Sequence, residues 1–146
     1  VIRKRKMRLT VTLGLMFMSS VSFAELTQSP SLSSLLSSTS WGLIRSDTTC
    51  IEHYKFSDDG AVEIKGNQEV ITGRYSVLTS EKSFELPAVA IQFETDNQKA
   101  DCTGSAQNQA GMSTVNFLKK QSNEKIYFCV DSLGKNCPVY LRPENP

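Results

Sequence analysis

From residue 41 onward apolar and polar side chains alternate in short runs, and Gly, Asn, Asp or Pro stands between one run and the next. A period of two marks a strand with one face buried. The alternation predicts strands over 41–45, 49–57, 61–65, 69–78 and 84–95. It continues with a short strand around Cys102 ending at Gly104, then 112–119, 125–130 and 139–142. In the second run Cys50, Tyr54 and Phe56 share one face, and Ile51, His53 and Lys55 share the other. In the fourth, Ile71, Tyr75 and Val77 fall together. Leu86, Val89, Ile91 and Phe93 carry the fifth, and Pro87 confines its start to an edge or a bulge. Asp58-Asp59-Gly60 and Gly66-Asn67 are hairpin-turn sequences, since these residues accept the backbone angles such turns need.

Eight or nine short strands at about ten-residue spacing predict an all-β antiparallel barrel or sandwich. Nearly every link is short enough for a hairpin, so up-and-down connectivity is favoured, with the barrel domain over 41–146. The Ser-rich residues 25–40 precede it. Ser29 before Pro30 is a helix-start signal, and Leu32, Leu35 and Leu36 recur at helical spacing, which predicts a short N-terminal helix.

Residues 1–24 read as a cleaved signal peptide. Arg3, Lys4, Arg5, Lys6 and Arg8 form a basic head, residues 9–18 are apolar, and Ser22 and Ala24 are small residues at cleavage spacing. The chain begins with Val1, and Met7 is an alternative start that leaves the same reading. Ten apolar residues are too few to span a bilayer core of about 30 Å, so no membrane anchor is expected after cleavage. A periplasmic or secreted protein is predicted. Removing 1–24 leaves 11 basic and 15 acidic residues, a formal charge of −4, where the whole chain carries +1. With no basic run beyond Lys119-Lys120, a nucleic-acid partner is not expected. A monomer is.

All four cysteines, Cys50, Cys102, Cys129 and Cys137, lie after the leader. An even count in an exported chain reads as two disulfides. Three connectivities are open, and Cys50–Cys102 with Cys129–Cys137 is favoured because Gly134 and Asn136 let the second loop turn back. Closing these loops would contribute about 4 and roughly 2–3 kcal/mol on the loop-entropy model. The spacing is wrong for zinc, and no C-x-x-C redox pair is present.

Ser40-Trp41-Gly42-Leu43-Ile44, Phe56-Ser57-Asp58-Asp59-Gly60 and Gly73-Arg74-Tyr75-Ser76-Val77 together resemble the front half of small bacterial lipocalin-like (calycin-type) barrels. Those share a first-strand Trp, an F-x-x-D-G hairpin and a G-x-Y strand. The likeness covers about residues 40–80. It departs where Thr39 replaces a Gly two positions before the Trp. The resemblance implies a binding fold, and an Arg covering the Trp would correspond to Arg142.

Chemistry is harder to assemble. The single histidine, His53, has no nucleophile and orienting acid in a recognisable pattern. No G-x-S-x-G elbow, calcium loop or phosphate loop is present. No catalytic residue, metal or cofactor is assigned, and the chain is read as non-enzymatic. An eight-stranded barrel either fills its interior or holds one small ligand. If it fills, loops carry function: 46–49, 95–100, 105–111 and 131–136. The disulfide-closed loop with Ser132, Leu133, Lys135 and Asn136 is the favoured surface for an extracytoplasmic protein partner, as in an inhibitor or envelope interaction module. If it is hollow, Trp41, Tyr54, Phe56, Tyr75, Phe93 and Phe117 would line the cavity of a small-apolar-ligand carrier.

Overall fold

Each alternating run ends in a turn that sends the chain straight back beside itself. The computed structural model describes residues 31–144, and the leader 1–24 lies outside them. A short helix α1 (Leu32–Ser37) leads into eight strands: β1 (Ser40–Arg45), β2 (Glu52–Phe56), β3 (Ala61–Gly66), β4 (Glu69–Leu78), β5 (Ala88–Asp96), β6 (Ser113–Ser122), β7 (Lys125–Cys129) and β8 (Val139–Pro143). Every strand pairs antiparallel with the next, and β8 pairs with β1 to close the barrel. The up-and-down expectation holds.

The turns follow from their residues. At Asp58-Asp59-Gly60, Gly60 takes φ +86° and the Ala61 N–H donates to Asp59 Oδ1 (3.0 Å). β3 and β4 are joined through Asn67, which takes φ +54°, a conformation Asn tolerates. A bulge in β4 at Thr72/Gly73 lets Gly73 press against the backbone of Gln92 and Phe93, where no side chain fits.

Several boundaries differ from the sequence reading: β2 begins at Glu52 and leaves Cys50 ahead of the strand, and β6 runs on to Ser122. Cys102 lies in the β5–β6 loop, so the strands number eight. A row of polar residues there is held by local turns around Asp101 and offers no alternation to pair. β5 begins at Ala88, and Phe84 is left 68% exposed on the preceding loop. The helix cap is Ser31, whose hydroxyl accepts from the Ser34 N–H; Ser29 and Pro30 lie outside the described residues.

The inward row closes over itself. Trp41, Leu43, Tyr54, Phe56, Val62, Ile64, Ile71, Tyr75, Val89, Ile91, Phe93, Leu118, Ile126, Phe128 and Leu141 form one buried cluster. The helix plugs one end of it. Leu35 and Leu36 are buried, and Trp41 Nε1 donates to the Leu36 carbonyl at 2.9 Å. Tyr75 donates its hydroxyl to the Ser57 carbonyl at 2.8 Å near the same end.

Candidate functional site

The inward aromatic residues touch one another. Ring centroids are 4.9 Å apart for Phe56–Tyr75, 5.9 Å for Tyr54–Phe56 and 6.0 Å for Tyr54–Phe128. An eight-stranded barrel is just wide enough for side chains to fill it. Four grooves of about 260–390 Å³ open to solvent; Tyr54 borders one and Val62 another, and none is lined by Trp41, Phe56, Phe93 or Phe128.

Five of the six residues expected around an interior cavity do point inward: Trp41, Tyr54, Phe56, Tyr75 and Phe93. Phe117 does not. It pairs with Ala88 and Cys129, while its neighbour Leu118 pairs with Phe128 on the inward row. Its half-burial comes from the outer wall. The register of β6, invisible in a run where Val115, Phe117 and Leu118 are all apolar, decides which of them enters the core. Arg142 is likewise outward and exposed, opposite Gly42. Trp41 is covered by the helix instead.

The two disulfides form as favoured, Cys50–Cys102 and Cys129–Cys137, and no cysteine is free. Such bonds are compatible with an oxidising compartment.

The loop closed by Cys129–Cys137 folds flat against the outer wall. The Leu86 N–H donates to the Ser132 carbonyl (2.8 Å), and Lys119 Nζ donates to the Gly134 carbonyl (3.4 Å). Gly134 is buried with φ +65°, and a Cβ there would sit 2.8 Å from Leu86 Cδ1. The loop thereby covers the wall beside Phe117 and Cys129. Asp131 organises the loop from within. Its carboxylate accepts the N–H groups of Leu133 (3.0 Å), Lys135 (3.1 Å) and Asn136 (2.7 Å). Those donors, Asn136 first, hold the Asp131 carboxyl below its ordinary range. Leu133 remains 48% exposed, Lys135 and Asn136 are exposed, and Ser132 is half-buried. The four residues named from the sequence therefore share one disulfide-closed loop fixed against the wall. Asp131, which positions them, was not singled out, although an Asp opening a short Gly-bearing loop is a known turn signal.

The end of the barrel away from the helix is closed by the β5–β6 loop. Asn97 accepts the Val70 N–H and donates to the Gln68 carbonyl, and Cys102 ties the loop to Cys50. Beneath it Glu69 is 7% exposed and accepts from Gln109 Nε2 at 2.8 Å. Burial pushes the Glu69 carboxyl up. Tyr54 donates to Glu52 at 3.2 Å, and burial holds its phenol neutral far above the usual range. His53 Nδ1, on the outer face, donates to the Glu144 carboxylate. Asp58 and Asp59 serve the turn. Among the described residues no three His, Cys, Asp or Glu side chains gather as metal ligands, and no helix is long and apolar enough to cross a membrane.

No protein-family model, curated protein or solved structure matches the chain.

Proposed function

We propose that the chain is an exported, non-enzymatic binding module that meets a protein partner through the loop 131–136. The observation that carries this reading is the pre-organisation of that loop. A disulfide, three N–H donors to Asp131 and the seat of Gly134 on Leu86 fix it while Leu133 and Lys135 stay exposed. A loop already ordered loses little conformational entropy on binding, so more of its contact energy becomes affinity. Export to the periplasm or medium is supported by the basic-then-apolar leader and by the two disulfides. The closed barrel supports the lipocalin-like resemblance at the level of architecture.

The alternative is a carrier of a small apolar ligand. The contacts among Tyr54, Phe56, Tyr75 and Phe128 weigh against it, because a ligand would have to displace them.

The test is site-specific photocrosslinking in the native host, with the reactive side chain placed at Leu133 or, away from the loop on β4, at Thr72. A discrete protein adduct from 133, absent from 72 and lost when Lys135→Ala is added, is the expected result. Equal adducts from both positions, or none from 133, would remove the loop from the interface.

A further inference from the structure

We propose that the half of the barrel wall formed by β6, β7, β8 and β1 is a docking face for an acidic protein segment, and that Glu144 fills its carboxylate pocket in the free protein. This does not rest on the role of the loop 131–136.

One half of the outer wall presents basic side chains alone, and the other half mixes both signs. The four strands are consecutive neighbours, β8 joining β1. Their outward rows carry Lys119, Lys125 and Arg142 and not one acidic residue, whereas Lys120 and Arg45 follow the inward row to the barrel's ends, where Arg45 meets Asp47 and Glu52. Among the described residues Glu144 follows β8 directly, and the other acidic side chains lie in β2–β5 or in the connections. A net charge of −4 after the leader conceals this, and a face of one sign draws partners of the other.

The middle of the face has the composition of a binding centre. Tyr127 and Tyr140 sit opposite each other on β7 and β8, with ring centroids 5.7 Å apart. Lys125 Nζ stands over both rings, at 5.0 and 4.4 Å. Tyrosine and arginine are the residues most often found at the energetic centre of protein interfaces.

Beside them a pocket is built by a missing side chain. Across β8, β1 and β2 the outward row reads Arg142, Gly42, His53. Gly42 leaves a groove of about 360 Å³ lined by Ile51, Arg142, Pro143 and Glu144. The Glu144 carboxylate lies in it, 3.6 Å from where a Gly42 Cβ would be, and accepts from His53 Nδ1. An adjoining groove shares Glu144 and His53 and adds Lys55 and the Lys65–Glu63 ion pair (2.7 Å). The present occupant is thus a carboxylate, which identifies the chemistry the pocket takes. The Glu144 N–H donates to the Ser40 carbonyl at 2.9 Å, so its side chain can leave while the strand stays. An incoming acid must displace it, and removing it should raise apparent affinity.

The experiment is an amide NMR titration of residues 25–146 with an acetylated, amidated hexaglutamate at low salt. Hexalysine, oligothymidylate and polygalacturonate are titrated in parallel. Shifts centred on Gly42, Tyr127, Tyr140 and Arg142 are expected with hexaglutamate. Glu144→Ala should tighten binding about threefold, and Arg142→Ala should weaken it roughly fivefold, as for exposed ion pairs. Lys125→Ala gives a second reading of the same face if Arg142→Ala does not fold. Shifts centred elsewhere, no gain from Glu144→Ala, or equal binding of hexalysine would overturn the proposal. So would tighter binding of oligothymidylate or polygalacturonate than of the peptide.

Discussion

Leu36→Ala tests the helix as a plug. Leu36 is fully buried where α1 meets the barrel, and its carbonyl accepts from the indole of Trp41. Truncating a buried Leu costs 2.7–5.0 kcal/mol in well-packed sites, depending on the cavity left. A six-residue helix has no stability of its own. If the truncated helix lets go, the loss is capped at the free energy with which it docks. The expected cost is about 3 kcal/mol, a fall in Tm of roughly 10 °C for a domain this size. Urea unfolding measures the cost, and the single tryptophan reports its mechanism. The substitution spares the Leu36 carbonyl, so a helix that stays leaves Trp41 emission blue and shielded from acrylamide. A helix that detaches exposes the indole, and emission moves to the red. A loss below about 0.5 kcal/mol, the range of surface substitutions, with unchanged quenching would refute the plug.

Gly73→Ala drives a methyl group into the Gln92 carbonyl at the β4 bulge, where backbone and not a flexible side chain must yield. A cost of about 3 kcal/mol or more is expected, read by thermal unfolding. Glu69→Gln should stabilise the protein at neutral pH. Burial raises the Glu69 carboxyl in the folded state, so ionising it there opposes folding; the gain should vanish in acid, where Glu69 is protonated folded or unfolded. Urea melts across pH measure it, and a gain that persists in acid would contradict the cause. Asp131 has the opposite sign. Its folded-state value is depressed, so its contribution is full above the unfolded value and is lost as pH falls through the folded one. Amide-exchange protection of Leu133, Lys135 and Asn136 should hold at about pH 5, above the ordinary Asp value, and fail in stronger acid. Asp131→Asn should abolish that acid step.

The strand order was legible because each alternating run and its turn carry the same message. Glu69–Leu78 alternates over its whole length with a turn before it, and it was read at its full extent. Where the pattern is ambiguous, so was the reading. Around Phe117 apolar residues stand on both faces, and only pairing with Ala88 and Cys129 shows that this ring faces out. Cys102 was expected in a short strand ending at Gly104, yet it lies in the β5–β6 loop. Its neighbours are held by Asp101, which accepts from Thr103 and Ser105. The disulfide loop was legible as a loop but not as one lying on the wall, since that depends on Leu86, remote in sequence, meeting Gly134. The basic outer face was hidden for a similar reason. It emerges only when β8 closes on β1 and brings Arg142 beside Gly42.

The central claim is that this barrel is filled by its own side chains and works from its outer surface. Native mass spectrometry on the protein purified from its own host tests that claim most directly. The account predicts a bare chain, at a mass lacking four hydrogens for the two disulfides. A native mass heavier by a small-molecule increment, lost on denaturation, would contradict it and make the interior the working site.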